Sequence, residues 1–298
     1  MKILVTGANG LLGQHLIKLL IEKNHEVTGM SRGACRLPLK NIGNFNYFDV
    51  DLNDGEGMQV VIESAKPSVI VHAGAMTQVD ECEKDHNACD LANINGTVNL
   101  IKAAEPFSEH LIYISTDFVF DGLRGNYTEE DRPGPVNYYG HTKLRSEELV
   151  RQTSMDWAIV RTCLVYGNTL DGTRSNIITW VKESLEQKKK IRVVNDQIRT
   201  PTYVEDLAKG ILLAIEKRAK GVYHVSGNEI LTPYQMAIET AEFFSLDKNL
   251  IEEVNASTFT QIAKRPLRTG FDISKAKNEL GYLPMSFSEG LRKMFPGI

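Results

Sequence analysis

A tyrosine and a lysine stand four residues apart in the segment Tyr139-Gly140-His141-Thr142-Lys143. On a helix, side chains at this spacing lie one turn apart on the same face. A phenol alone, with a pKa near ~10, exchanges protons poorly at neutral pH. A neighbouring ammonium stabilises the phenolate, so the pair predicts proton transfer to or from a carbonyl or alcohol oxygen. Such a pair also arises by chance, and its significance depends on the elements around it.

The bulk composition excludes several classes of function. The 298 residues are 42% hydrophobic and 24% charged with a net charge of −4, which is typical of a globular protein with no nucleic-acid surface. No apolar run approaches the ~18 residues of a membrane span, and the N-terminus enters a strand without a signal peptide. The four cysteines lack CxxC spacing. We therefore expect a cytoplasmic protein with reduced thiols and no metal site.

The N-terminus predicts a dinucleotide-binding turn. An apolar run from Lys2 to Thr6 favours a strand, and an amphipathic helix is expected from His15 to Lys23. Between them lies a glycine-rich loop with the spacing G-x-x-G-x-x-G, whose backbone N–H groups can approach a pyrophosphate at the helix N-terminus. A plain structural turn is the alternative. The residues expected at the cofactor are Gly7, Asn9, Gly10, Leu11, Leu12 and Gly13.

The second predicted strand, His25 to Met30, ends at Ser31 and Arg32 rather than at an acid. An Asp or Glu at this position would hold the ribose 2′-hydroxyl of NAD. A hydroxyl and a guanidinium suit a 2′-phosphate, which favours NADPH, with NADH as the alternative. An ordinary exposed arginine remains the other interpretation of Arg32.

Further strand ends supply small and polar residues to the same edge. The third strand, Phe45 to Val50, leads to Asp51 and Leu52, and Asp51 suits either an adenine amine or a helix cap. The fourth strand, Pro67 to Val71, precedes His72, which we interpret as a core residue. The small or hydroxyl-bearing residues beyond it allow the cofactor to lie against the backbone. They are Ala73, Gly74, Ala75 and Thr77.

A largely helical stretch follows from Glu81 to Glu105. Asn93 and its neighbours are poor helix formers, which indicates a kink or a polar function. The fifth strand, Leu111 to Ile114, ends near Thr116, whose hydroxyl can bond a substrate carbonyl. The helix that carries Tyr139 and Lys143 comes next.

The alternation of strands and helices predicts an α/β fold with a Rossmann-type doubly wound parallel sheet. We assign residues 1–165, with parts of 195–230, to the dinucleotide-binding domain. Residues 166–194 and 231–298 are predicted to form a smaller C-terminal α/β lobe that binds substrate. The sixth strand is expected from Trp157 to Tyr166.

The order of these features resembles the extended short-chain dehydrogenase/reductase family over the whole chain. Within that family, four groups of residues are similar to the dTDP-4-dehydrorhamnose reductases. They are Thr77 to Glu83, Ser115 to Gly122 with the string STDFVFDG, Arg161-Thr162 with Val165 to Gly167, and Asp196-Gln197 with Pro201-Thr202.

The resemblance implies reduction of the 4-keto group of a nucleotide-linked deoxysugar, dTDP-4-dehydrorhamnose first of all, to the corresponding alcohol. Tyr139 is then the acid that protonates the developing alkoxide, and Lys143 holds the nicotinamide ribose and lowers the Tyr139 pKa. Thr116 orients the keto oxygen. Asn93 resembles an asparagine that supports a proton path through water and Lys143.

The substrate site implied by the resemblance includes Asp117 and Phe118. Arg199 stands where glycine is usual, and Arg199 and Arg265 suit either a substrate diphosphate or an ordinary surface position. Met76 and Leu164 also depart from the reductase pattern, which leaves the sugar open. An NAD-dependent sugar epimerase or dehydratase and a non-catalytic regulatory subunit are the alternative functions. A homodimer is compatible with the resemblance, and the oligomeric state stays open.

Overall fold

Eleven named strands appear in the computed structural model, which describes residues 1–38, 43–170 and 176–297. In chain order they are β1 (Lys2–Thr6), β2 (Glu26–Ser31), β3 (Phe45–Asp49), β4 (Val69–His72), β5 (His110–Thr116), β6 (Asp156–Thr162), β7 (Val165–Tyr166), β8 (Ile191–Val194), β9 (Thr202–Tyr203), β10 (Gly221–His224) and β11 (Ile251–Val254). Seven of them form one sheet in the order β10-β6-β5-β4-β1-β2-β3, with every pair parallel. The predicted doubly wound fold is confirmed, with the change of winding direction at β1.

The α-helices cover this sheet and extend into the C-terminal part. They are α1 (Leu11–Glu22), α2 (Gly55–Ala65), α3 (Val79–Lys84), α4 (His86–Asp90), α5 (Gly96–Ala104), α6 (Tyr138–Arg151), α7 (Ile177–Glu186), α8 (Val204–Glu216), α9 (Pro233–Phe243) and α10 (Phe287–Met294). A π-helical turn, Leu91–Asn95, joins α4 to α5, and a 3-10 turn, Asp117–Val119, follows β5. Among the described residues, none of the helices combines the length and apolar character that a membrane crossing requires.

Both faces of the sheet are buried. Ile3 and Val5 of β1 pack in one core with Leu16 of α1, whereas Leu4 lies in the opposite core with Met58 of α2. Because strands in such a sheet are covered on both faces, their sequences are continuous apolar runs rather than alternating ones. For this reason, most strands predicted from apolar runs begin and end within two residues of the observed bounds.

Three element predictions differ from the structure. The first helix begins at Leu11, not His15, because the glycine turn closes directly into it. The predicted sixth strand is interrupted at Leu164, whose φ of 38° ends β6 and starts β7 in a separate pairing with β9. The stretch predicted as one helix from Glu81 is divided into α3, α4, the π-helical turn and α5.

The C-terminal part builds a second, smaller core. β8 pairs with β11, and α7 and α9 pack on them through a cluster that includes Val181, Ile191 and Ala237. Between these elements, the chain returns to the main sheet through α8 and β10. The predicted division into two domains, with boundaries at 165, 195 and 230, remains a prediction.

A buried ion pair fixes α6 to the sheet. Glu147 of α6 and Arg161 of β6 are 0% and 1% exposed, and Nε and Nη2 of Arg161 donate to the two carboxylate oxygens at 2.9 and 2.7 Å. Ser115 of β5 donates to the same carboxylate at 2.6 Å. Because the pair is enclosed, removing one partner leaves a buried charge without its counter-ion.

We therefore expect Glu147→Ala to lower the free energy of unfolding by about 3–5 kcal/mol. Urea denaturation followed by circular dichroism measures this change. Arg151→Ala is the matched control, because Arg151 contacts the same carboxylate from a side chain that is 40% exposed. Its loss should cost about 1 kcal/mol or less. Equal effects of the two substitutions would contradict the assignment of Glu147 and Arg161 as the dominant pair.

Candidate active site

A cavity of about 1090 Å³ runs along the carboxyl edge of the central sheet. Its walls come from the turn after β1, from the ends of β2 to β6, from α6 and from the C-terminal part. In open parallel sheets, ligands bind at this edge where the winding direction changes. Every predicted site residue except Asn9 and Asn93 lines the cavity.

The glycine turn forms a cradle at one end of the cavity. Gly7 has a φ of 70°, and a Cβ on Gly13 would lie 2.2 Å from the Gly7 carbonyl oxygen. Larger residues are therefore excluded at both positions. Gly10 precedes α1 without any side-chain cap, so the first N–H groups of the helix are available to an anion. These features fit the pyrophosphate of a dinucleotide.

Asn9 has a different role from the predicted one. Its side-chain amide donates to the carbonyl oxygens of Arg32 and Ala34, each at 3.0 Å, and to the Tyr47 hydroxyl at 2.8 Å. Its oxygen accepts from the Arg36 N–H at 2.9 Å. The side chain lies outside the cavity and holds the loop that follows β2.

That loop presents Arg32 at the cavity wall. The Arg32 side chain is 81% exposed, and its Nε lies 3.5 Å from Oδ2 of Asp51. Asp51 also accepts from the Asn53 N–H. The residue that caps α2 is Asp54 rather than Asp51, so the helix-cap interpretation of Asp51 is wrong. Both Arg32 and Asp51 remain available at the cavity surface.

Tyr139 and Lys143 project from the first turns of α6. Asn137 caps this helix by accepting from the Gly140 N–H at 2.9 Å. Tyr139 is 8% and Lys143 3% exposed. The Lys143 ammonium donates to the Ile114 carbonyl oxygen at 2.8 Å and lies 4.1 Å from the centre of the Tyr113 ring. The two predicted reactive groups therefore share one wall of the cavity.

The charge states of these groups differ from the expectation. Burial raises the pKa of Tyr139, and a hydrogen bond with Thr116 opposes this effect. Burial lowers the pKa of Lys143 to about 7, and the negative charge of Glu147 opposes this lowering. The expectation that Lys143 lowers the Tyr139 pKa is wrong for this geometry, because the ammonium is directed at Ile114. The phenol is protonated at neutral pH, as a general acid must be, and its raised pKa makes it a weaker acid than a free phenol.

Asn93 lies in the π-helical turn, outside the cavity. Its side-chain oxygen accepts from the Met76 N–H at 2.8 Å, and its amide donates to the Thr142 hydroxyl at 2.9 Å. Its own carbonyl oxygen accepts from the Ser146 hydroxyl at 2.9 Å. The predicted local irregularity at Asn93 is present. Its contacts connect α6 to the segment after β4, and the predicted proton path through Asn93 remains a prediction.

The predicted substrate residues are engaged with the protein itself. Asp117 and Arg199 form a buried ion pair, with Nε of Arg199 3.7 Å from a carboxylate oxygen, and Phe118 packs against the guanidinium. Arg265 binds both carboxylate oxygens of Asp80, at 3.0 and 2.8 Å. The surface interpretation of Arg199 is wrong, because the residue is 4% exposed. Contact of these residues with a sugar nucleotide remains a prediction.

A family model described as the RmlD substrate binding domain matches residues 1–297. The chain belongs to this family. The predicted resemblance to the extended short-chain dehydrogenase/reductases and their dTDP-4-dehydrorhamnose reductases is thereby confirmed.

Three relatives show the range of this RmlD-type family. A dTDP-4-dehydrorhamnose reductase from Bacillus anthracis, solved in complex with NADP, is 30% identical with a TM-score of 0.86 and covers 99% of both chains. The rat methionine adenosyltransferase 2 subunit beta is 33% identical over 92% of this chain and 81% of its own length. The spore coat polysaccharide biosynthesis protein SpsK of Bacillus subtilis is 31% identical over 98% and 96%.

The RmlD-type site contains one residue that the sequence did not reveal. Tyr113 stands in the middle of β5, where a tyrosine among apolar residues is typical of a core position. Its ring lies under the Lys143 ammonium, and its hydroxyl has no hydrogen-bond partner in the described part of the chain. A cation over a buried ring is stabilised by the negative face of that ring.

We expect Tyr113→Leu to lower the Lys143 pKa from about 7, by roughly one further unit, because the charged form loses the ring face. The ammonium is then less populated at neutral pH. NMR titration of protein with ¹³C-labelled lysine measures this pKa, and Lys143→Met assigns the signal.

Tyr113→Phe is the matched control for this titration. It keeps the ring and removes only the hydroxyl, so the Lys143 signal should titrate as in the unsubstituted protein. Identical titrations in Tyr113→Leu and Tyr113→Phe would show that the ring does not support the ammonium.

Proposed function

We propose that this chain is an NADPH-dependent reductase of the keto group of a nucleotide-linked deoxysugar, with dTDP-4-dehydrorhamnose as the first substrate. The observation that supports this most is the convergence of Thr116, Tyr139 and Lys143 on the cavity that also holds the glycine turn. The reductase from Bacillus anthracis, which is described as a complex with NADP, supports the same reaction class.

The cavity fits the cofactor at its pyrophosphate end. The backbone N–H groups at the start of α1 would receive the negative charge of the pyrophosphate. Gly7 and Gly13 allow the turn to close tightly before this helix, because a Cβ at either position would clash with neighbouring backbone. When bound, NADPH supplies the hydride for the reduction. Lys143, which is buried at the cavity wall, would hold the nicotinamide ribose.

Tyr139 supplies the proton in this scheme. Its phenol is neutral at physiological pH, as a tyrosine normally is, so the proton is present when the keto oxygen acquires negative charge. Thr116 lines the same cavity. The proton leaves Tyr139 for the alkoxide oxygen, and the product alcohol is formed.

The selection of NADPH over NADH is assigned to Arg32. Its side chain is exposed at the cavity wall, beside the end of β2, where a 2′-phosphate would lie. Asp51 neutralises part of this charge at 3.5 Å, so Arg32 must turn from Asp51 to reach the phosphate.

A regulatory role is the second candidate function. The similarity to the rat methionine adenosyltransferase 2 subunit beta, at 33% identity, favours it. A regulatory subunit needs no proton donor in a cavity, and the buried arrangement of Tyr139 and Lys143 therefore favours catalysis. The epimerase or dehydratase function is disfavoured by Ser31 at the end of β2, where an acid is absent.

The substrate class is tested by mixing the protein with a panel of nucleotide keto-sugars and either NADPH or NADH. Consumption of NADPH, followed by its absorbance near about 340 nm, is expected with dTDP-4-dehydrorhamnose. A reaction seen only with a different keto-sugar would support the reductase class and exclude dTDP-4-dehydrorhamnose as the substrate. Cofactor binding without any reaction across the panel would favour the regulatory function.

We expect Tyr139→Phe to reduce turnover by about 10²–10⁴-fold, because the proton donor is lost while the ring remains. The dissociation constant for NADPH should change little, as measured by the fluorescence of the bound cofactor. Tyr138→Phe is the matched control on the neighbouring position, since the Tyr138 hydroxyl bonds Asp90 instead of facing the cavity. Near-normal turnover of Tyr139→Phe would remove this residue from the mechanism.

NADPH should bind more tightly than NADH. Arg32→Ala should reduce the ratio of the NADH to the NADPH dissociation constant by about tenfold, because one charged contact is lost. Parallel fluorescence titrations with the two cofactors measure the ratio. Arg36→Ala serves as the control, because Arg36 is an exposed arginine of the same loop that does not line the cavity. Equal effects of the two substitutions would indicate a general charge effect rather than a specific contact.

A further inference from the structure

The hydroxyl of Thr116 has one proton and two lone pairs, and the structure accounts for each. The proton is donated to Oδ1 of Asp117 at 3.1 Å. One lone pair accepts from the Phe118 N–H at 3.2 Å. The remaining lone pair is left for the cavity, whose lining includes both Thr116 and Tyr139. Because an ionised carboxylate only accepts, the single proton of the Thr116 hydroxyl is committed to Asp117.

Asp117 is enclosed by groups that stabilise its charge. It is 3% exposed, and its second oxygen accepts from the Thr269 hydroxyl and lies 3.7 Å from Nε of Arg199. The other groups that face it are the Cys163 thiol from the end of β6 and the Tyr139 phenol from α6. Among these groups, Arg199 is the one with a positive charge.

The position of Arg199 is set by backbone carbonyl groups. Its Nη1 donates to Ile198 at 2.9 Å and to Leu267 at 3.1 Å, and its Nη2 donates to Pro266 at 2.7 Å. These contacts hold the guanidinium in place and leave Nε directed at Asp117. The arginine is therefore built into the cavity wall independently of any ligand.

The charge of Asp117 depends on a balance of opposing effects. Burial raises the pKa of its carboxyl group, and the guanidinium of Arg199 is the largest effect that lowers it again. Hydrogen bonds from Thr269, Cys163 and Thr116 add to the lowering. Without Arg199, the same burial would favour the protonated acid at a higher pH.

We propose that Arg199 and Asp117 form a positioning pair, in which Arg199 keeps Asp117 ionised and Asp117 thereby fixes the direction of the Thr116 hydroxyl at the cavity wall. This inference rests on the proposed reductase function. Neither residue touches the reacting atoms, because both act through Thr116. Protonation of Asp117 gives it a hydrogen that it can donate to Thr116. The Thr116 proton is then no longer held by Asp117, and the Thr116 hydroxyl loses its fixed direction.

The pH dependence of turnover tests this pair. Loss of the positive charge in Arg199→Gln should move the acid limb of the kcat profile upward by about one pH unit or more, because an adjacent arginine lowers a carboxyl pKa by about 1–3 units. Arg199→Lys keeps a charge and should restore most of the original profile. Arg268→Gln removes an exposed arginine from the segment bridged to Ile198, next to Arg199, and controls for general charge loss. An unmoved acid limb in Arg199→Gln would overturn the proposal.

A second measurement needs no substrate and separates this proposal from the proposed function. The Asp117 carboxyl is followed by NMR titration of protein with ¹³C-labelled aspartate, and Asp117→Asn assigns its signal. The signal should titrate at a higher pH in Arg199→Gln than in the unsubstituted protein, whether or not a sugar is reduced. Coincident titrations would refute the pair.

Thr269→Val provides the same test if Arg199→Gln does not fold. It removes one hydrogen bond to Asp117 and leaves Arg199 in place. Loss of this hydrogen bond should raise the pH at which the Asp117 signal titrates, and the acid limb of the kcat profile should move upward with it. An Asp117 signal that moves while the acid limb stays in place would overturn the proposal.

Discussion

The buried ion pair between Glu147 and Arg161 determines where the reactive groups stand. Glu147 lies on α6 one turn after Lys143, and its carboxylate binds Arg161 of β6 and Ser115 of β5. Ser115 directly precedes Thr116 in the sequence. One carboxylate therefore fixes the helix that carries the phenol and the ammonium to the strand that carries the hydroxyl. Apolar packing alone leaves rotation of a helix less restricted than directional hydrogen bonds do.

The other end of α6 is fixed by close backbone contact. A Cβ on Gly140 would lie 2.2 Å from the carbonyl oxygen of Phe118, so the helix rests directly on the 3-10 turn after β5. Tyr139 directly precedes Gly140, and Lys143 lies between this contact and the Glu147 pair. Since protein interiors are closely packed, a helix held at both points has little freedom to shift. The separation of the reactive groups is thus a property of the fold, and it exists before any ligand binds.

The parts of the site that depend on local spacing could be predicted from the sequence. The glycine turn and the Tyr139–Lys143 pair are of this kind, because steric limits and helical geometry act over a few residues. Contacts between distant segments could not be predicted. In the sequence alone, the buried Arg199 cannot be distinguished from an exposed arginine, because its partner Asp117 is distant along the chain. Similarly, β11 was missed because its Glu252 and Glu253 are exposed and it is short.

The cavity contains two buried ionisable side chains, a lysine and an aspartate, which a surface for binding a partner would not need. Lys143 is nearly enclosed and has a pKa lowered to about 7, and Asp117 has its pKa raised by burial. Removing charges from water destabilises a folded chain unless each charge is compensated. Perturbed groups beside a phenol and a dinucleotide-type cradle are typical of a catalytic cavity, and Lys143 changes its charge near neutral pH. Binding a partner at the outer surface does not require buried charges inside a cavity. The buried charges therefore favour a catalytic role.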